Sequence, residues 1–275
     1  MKSVSLIQLI SCSEPHKNLQ QIKQALIAMQ PMPEQLVLLP ENALVFGERA
    51  DYLRHQEVLG QGPLQRELAQ LAARYGIYLV CGSMPITSDE PERVYTSSLV
   101  FDPQGQLCAH YHKMHLFDVD VADGHGAYRE SATFKPGEQL SCVDLGEVKL
   151  GLSICYDLRF PALFQNLVAQ GANVILVPAA FTQVTGQAHW LALLQARAIE
   201  TQCYIVAANQ GGEHENKRQT WGHSCIISPW GEILSQLTQG VGHLAQSLDL
   251  AHLASIRQKM PVQQHQRFIS KPLDT

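Results

Sequence analysis

Apolar residues along this chain fall into two kinds of run. Residues 4–10, 36–40, 173–178 and 203–208 are short and dominated by apolar side chains, the pattern of strands covered on both faces. Elsewhere apolar residues recur at helical spacing. Leu19, Ile22, Leu26 and Met29 share a stripe behind Asn18 as N-cap, and Pro31 and Pro33 stop it. Leu64, Leu68, Leu71 and Tyr75 form a second stripe, opened by Pro63 and closed by Gly76. Further helices are predicted over 161–170, 189–201 and 251–259. Turn residues between strand-like runs predict hairpins over 94–111, 141–154 and 222–234, and 77–82 and 241–248 complete the strands. Residues 118–137 are weakly patterned, and a connection of that length inside a compact domain is usually functional.

Strands and helices alternate with hairpins inserted, which predicts mixed sheets. Helices then cover one face of each sheet, and the other faces pack sheet on sheet. No linker, repeat or low-complexity segment interrupts the pattern, so 1–275 is expected to form one domain with a polar tail from about 262. In layered α/β folds ligands bind beyond the carboxyl ends of strands. Three residues with chemical potential stand at such ends: Glu41 after 36–40, Lys113 after 107–111, and Cys155 after 148–154.

A cysteine attacking a carbonyl needs thiolate character, a proton acceptor and a donor for the developing oxyanion. The junction between 148–154 and the helix at Pro161 suits a nucleophile, since a helix N-terminus favours thiolate. A lysine ammonium ~4 Å away would favour thiolate by roughly 4 kcal/mol at an effective dielectric of about 20, and a nearby Glu41 carboxylate would oppose it. The Cys155 proton and Glu41 are therefore expected to share one negative charge, with Glu41 the base for the thiol and later for water. Lys113 stays protonated among carboxylates, for which Glu130 is a second candidate.

Composition narrows the partners. With 45% hydrophobic and 16% charged residues, the chain can bury a substantial core. A net charge of −5, and no basic run longer than Lys217-Arg218, argue against nucleic acid as a partner. No apolar run approaches the roughly 20 residues of a membrane span, and 4–10 is too short for an export leader. Seven cysteines without a C-x-x-C pair point to a reducing, cytoplasmic compartment rather than a disulfide scaffold or zinc site. His110, His112 and His115 lack a further ligand at useful spacing, so packing around Lys113 is expected rather than metal binding.

Leu39-Pro40-Glu41, His112-Lys113-Met114-His115-Leu116-Phe117-Asp118 and Ile154-Cys155-Tyr156-Asp157-Leu158-Arg159-Phe160-Pro161 resemble, in order and spacing, the three catalytic motifs of the nitrilase superfamily, the carbon–nitrogen hydrolases. The resemblance covers nearly the whole chain. It implies an α/β fold, the four-layer α-β-β-α sandwich, whose subunits pair as a homodimer or higher homo-oligomer. It implies a triad of Glu41 as base, Lys113 as acid and oxyanion stabiliser and Cys155 as nucleophile, with Glu130 as the additional glutamate and no cofactor or metal.

Residues 115–120, 185–190 and 196–204 resemble a branch of amidases whose small-molecule amide substrates carry a 2-oxo acid arm. That resemblance implies Arg159 as the ligand for the arm's carboxylate, with Phe181 and Thr185 lining the pocket. Residues 197–204 and the loop 211–218 tilt toward the member whose leaving amine is a dipeptide, over the one that releases ammonia. The stretch Asp123-Gly124-His125-Gly126 departs from the branch's Pro-Gly-rich loop and bears on fine specificity. Lys217 and Arg218 either meet the terminal carboxylate of a longer substrate or form a solvated loop pair. Further competing readings pair Arg159 with Asp157, make Asp157 a helix-start residue, and put His189 and Trp190 in packing or a dimer interface. The same thiolate could attack a nitrile. A non-catalytic scaffold would have no need of Glu41, Lys113 and Cys155 together.

Overall fold

The computed structural model describes residues 3–121 and 126–270, and these gather into two six-stranded sheets and a short ribbon. In chain order, β1 (Ser3–Gln8), β2 (Leu36–Leu38), β3 (Tyr78–Thr87), β4 (Val94–Phe101) and β5 (Leu107–His112) build the first sheet. The ribbon is β6 (Asp118–Asp120) with β7 (Ala127–Arg129). The second sheet holds β8 (Cys142–Leu145), β9 (Val148–Leu152), β10 (Val174–Leu176), β11 (Tyr204–Ala207), β12 (Cys225–Ile227) and β13 (Ile233–Gln236). Finally β14 (Gly242–Ser247) returns to the first sheet, antiparallel to β1. The helices are α1 (Pro15–Met29), α2 (Arg49–Arg54), α3 (Pro63–Tyr75), α4 (Pro161–Ala169), α5 (Gln183–Thr185), α6 (Leu191–Thr201) and α7 (Leu250–Lys259).

The all-apolar runs are explained by what each face meets. Side chains alternate across a strand, so Leu36 and Leu38 enter a buried cluster with Leu150, Leu152, Val174 and Val206 of the other sheet. Val37, between them, points the opposite way into a second cluster with Ile22 and Leu26 of α1 and Leu68 and Leu71 of α3. On the second sheet, Gly151 lies opposite the Leu150 and Leu152 face. A Cβ there would stand 3.1 Å from the Leu167 side chain of α4. Helix, sheet, sheet and helix therefore stack as four layers.

The differences from the sequence expectation have local causes. Helix α1 begins at Pro15, not after Asn18. The Asn18 amide is turned inward, donating to the carbonyls of Cys12 and Leu44 at 2.8 Å each, which pins the loop that follows Glu41. The helical path before α6 starts at Gln183 and includes one wide turn, Gly186–Trp190. That turn lets Gly186 press on Trp221, whose Cβ stands 2.2 Å from where a Gly186 Cβ would lie. Strand β3 runs on past residue 82 to Thr87 because β4 pairs along it, with a register shift between Cys81 and Met84. Helix α2 was not anticipated at all. Within 118–137, the ribbon replaces an irregular loop; Asp123, Gly124 and His125 lie outside the described residues.

The connection after β11 is fastened by His214, whose ring stacks on Phe46 at 3.8 Å. Its Nδ1 meets the Ser11 carbonyl at 2.7 Å and its Nε2 the Thr220 hydroxyl at 2.9 Å. Burial pushes its pKa down to about 4. The unfolded chain takes up this proton near pH 6.5 and the folded chain does not, so stability falls as pH drops from about 6.5 toward 4. Urea unfolding at pH 7, 6 and 5 is expected to show a loss that shrinks in His214→Gln by up to one proton, about 1.4 kcal/mol per pH unit. Equal pH slopes in both proteins would rule out this role for His214.

Candidate active site

Strands β2 and β5 of the first sheet and β9 of the second end at one edge of the sandwich. There Glu41, Lys113 and Cys155 line a single cavity of about 230 Å³. The Lys113 side chain is 1% exposed, and its Nζ lies 2.8 Å from Glu41 Oε1. On its other side both Glu130 oxygens receive the same ammonium, at 2.8 and 2.9 Å. Glu130 Oε2 also accepts the Phe117 N–H at 2.6 Å, which ties it to the chain leaving β5. Glu41 is held from behind, its carbonyl accepting from Gln210 Nε2 at 2.9 Å.

Cys155 opens a single 3-10 turn, Cys155–Arg159, with φ 48°, left-handed backbone that a non-glycine residue adopts at a cost of about 1–3 kcal/mol. Its N–H is fixed to the Pro178 carbonyl at 2.8 Å. The Glu41 carboxyl group and the Ala180 backbone both act on the thiol. Burial, then the Glu41 charge, push the thiol well above its ordinary range, and Lys113 and the Ala180 backbone pull less strongly the other way. Burial and the Glu41 charge thus both work against a resting thiolate. The expectation that the turn itself would favour thiolate fails because desolvation of a buried thiolate outweighs the local field.

Burial works against the Lys113 charge, yet Glu130, Glu41 and Cys155 together raise its pKa well above the usual lysine range. Glu130 is shifted upward by burial and by Glu41, against the pull of Lys113. The cluster is thus an ammonium shared by two carboxyl groups, beside a thiol that needs a base.

Asp157 does more than start a helix. Fully buried, it accepts the Ile154 N–H at 2.8 Å, the Tyr111 hydroxyl at 2.7 Å and the His115 N–H at 3.1 Å, and it faces His115 Nδ1 at 2.7 Å. It therefore ties the residues flanking Lys113 to the residue before Cys155, bridging the sheets. Arg159 consequently does not pair with Asp157. Its guanidinium lies 5.4 Å over Phe181 and 5.8 Å from the Tyr156 ring centre, and among the described residues its hydrogen-bonding partner is His189 Nδ1, at 3.3 Å. Phe181 and Thr185 line the same cavity, and the Thr185 hydroxyl meets that of Thr182 at 2.9 Å.

The Lys217-Arg218 doublet is split. Lys217 sits at φ 67°, points to solvent and pairs with Glu213 at 3.5 Å. Arg218 faces the cavity. Trp190 is buried, donating to the His223 carbonyl at 2.9 Å, whereas His189 is exposed. His112 meets Ser97 Oγ at 2.6 Å and stacks on Tyr95. Among the described residues no group of His, Cys, Asp or Glu could hold a metal ion, and no helix is long and apolar enough to cross a membrane.

A cysteine, a glutamate and a lysine at the mouth of a four-layer α-β-β-α sandwich define a class of hydrolase that attacks amide-type bonds. The carbon–nitrogen hydrolase model matches residues 3–258, and the chain belongs to that family. It is 51% identical over 269 residues to the deaminated glutathione amidase of Yersinia enterocolitica, covering 98% of this chain and 94% of the relative. The human protein of the same name is 36% identical, over 96% of this chain and 82% of its own. In structure, Saccharomyces cerevisiae Nit3, a member of branch 10 of the nitrilase superfamily, superposes with a TM-score of 0.85 at 29% identity, covering 97% of each chain.

Proposed function

We propose that this protein hydrolyses the amide bond of deaminated glutathione, giving 2-oxoglutarate and cysteinylglycine through a thioester on Cys155. The observation that carries the reading is the Lys113 ammonium clamped 2.8 Å from both Glu41 and Glu130 in the cavity that holds the Cys155 thiol. The names of its relatives in Yersinia and human supply the substrate.

Glu41 takes the thiol proton as Sγ attacks the amide carbon, so no free thiolate need accumulate. Negative charge develops on the former carbonyl oxygen, where Lys113 is the nearest fixed cation and cannot quench it by losing its own stabilised proton easily. Collapse breaks the C–N bond, and Glu41 returns its proton to the departing amine. Water then attacks the thioester with Glu41 as base, releasing the acid and restoring the thiol. Arg159, four residues after the nucleophile, holds the acyl arm's carboxylate in a bidentate fork, with Phe181 and Thr185 shaping that end. In this reading 1–275 works as one domain, in the cytoplasm, as a homodimer or higher homo-oligomer.

The test is kcat/KM on deaminated glutathione beside 2-oxoglutaramate, with Cys155→Ala as blank and products identified by mass. The tripeptide analogue is expected to win by at least tenfold, about 1.4 kcal/mol of transition-state preference. A win for 2-oxoglutaramate would make the protein an omega-amidase instead. Cleavage of neither would reject the Arg159 subsite.

A further inference from the structure

We propose that Arg218 binds the terminal carboxylate of the leaving amine, and so selects amides whose leaving group is a peptide over those that release ammonia. This rests on the amidase reading above and carries it to the far side of the scissile bond. Of the cations lining the cavity, Lys113 is held by Glu41 and Glu130, Arg49 by Glu92 at 2.9 Å and Arg129 by Asp120 at 2.8 Å. Arg159 and Arg218 have no carboxylate partner among the described residues. A guanidinium left without a counter-charge on a cavity wall is a fork waiting for an anion. Two of them suit a substrate with a carboxylate at each end.

The chemistry assigns the ends. The leaving amine takes its proton from Glu41 and therefore departs on the Glu41 side. Arg218 is seated on that side: its guanidinium lies 5.0 Å over Phe46, in the same loop as Glu41, and 5.2 Å over Tyr128. Arg159 sits at the other end, over Phe181 and near Tyr156. Between the two run Tyr128, Phe117 and Tyr156, with ring centres 5.2 and 5.1 Å apart in succession. This aromatic floor separates the two positive ends.

Arg218 is also held ready. Its carbonyl accepts the His214 N–H at 2.9 Å, and the buried His214 ring is the one stacked on Phe46. Two ring faces and an anchored backbone leave the fork little freedom to lose on binding, which is the usual source of affinity from a preset group.

Three substrates test this: deaminated glutathione, its C-terminal carboxamide, and 2-oxoglutaramate. In the wild type, converting the terminal carboxylate to the carboxamide is expected to lower kcat/KM by about 10- to 100-fold, the range for losing a charged hydrogen-bonded contact. Arg218→Gln is expected to lower kcat/KM on the carboxylate substrate by a similar factor, mainly through KM. The variant should then barely distinguish carboxylate from carboxamide, and its preference for the tripeptide analogue over 2-oxoglutaramate should fall about as far. Arg218→Lys keeps the charge without the fork and recovers part of the loss; Lys217→Gln, facing solvent next door, keeps the wild-type ratios. Wild-type cleavage of carboxylate and carboxamide at equal rates overturns the assignment, as does an Arg218→Gln loss equal on both. Cleavage of none of the three overturns the amidase reading, and this one with it.

Discussion

Lys113→Met is expected to cost about 3–5 kcal/mol of folding stability, the penalty for leaving buried charge without its partner. It should also cut kcat/KM by about 10³ through loss of the oxyanion donor. The reason is geometric: Glu41 and Glu130 both bond the same nitrogen, and only the ammonium lets them ionise side by side. In the variant Glu130, already raised by burial and by Glu41, loses the opposing pull of Lys113 and holds its proton further above the unfolded carboxylate range near pH 4.3. Protonation then favours the folded form, so the deficit is smallest in acid and grows as pH rises through neutrality. Urea unfolding of wild type and variant at pH 5 and pH 8 measures this. A deficit of the same size at both values would show that the two carboxylates do not depend on Lys113.

Glu41→Gln separates two roles that wild-type kinetics combine. Turnover is expected to fall by about 10²–10⁴, the contribution of a positioned general base. The Cys155 thiol should nevertheless become easier to ionise. Its pKa is raised by burial and next by the Glu41 charge, and removing that charge leaves Lys113 pulling downward with less opposition. Iodoacetamide labelling of Cys155 against pH should therefore reach its midpoint at lower pH in the variant, even as hydrolysis is lost. Labelling that stays at the wild-type midpoint, or a variant that keeps its turnover, would remove Glu41 from the base position.

Much of this was legible in the residues. A fully apolar strand that stops at a charge, as at Leu39-Pro40-Glu41, says that the charge stands at the rim of the core, and the structure puts it there. What the sequence hid was short or depended on distant partners. Helix α2 has six residues and no apolar stripe, and its start rests on the Asp51 side chain accepting the Glu48 N–H at 2.9 Å, a signal visible only once the turn is assumed. Asp157 looks like any acidic residue opening a helix. Its reach to Tyr111 and His115 belongs to the packing of two sheets, on which a local pattern is silent. Lys217 and Arg218 are equivalent cations on paper, and the left-handed backbone at Lys217 is what sends them in opposite directions. The strength of the burial effect on Cys155 was hidden for a related reason: burial is a property of the whole assembly, not of the turn.

The division of the cluster between the two sheets also bears on how the chain comes off the ribosome. Glu41, Lys113 and Glu130 all emerge before Cys155 is made, on the half of the molecule that carries the first sheet. Until the second sheet docks, those charges lack the apolar cover that it provides, and the Cys155 thiol is not yet there for them to act on. Their dehydration falls due at the moment the inner faces of Leu36, Leu38, Leu150 and Leu152 close on one another, so apolar contact drives the charge burial. A product stalled before Cys155 would then lack the nucleophile, and the reactive sulfur would follow the site's other members in order of synthesis.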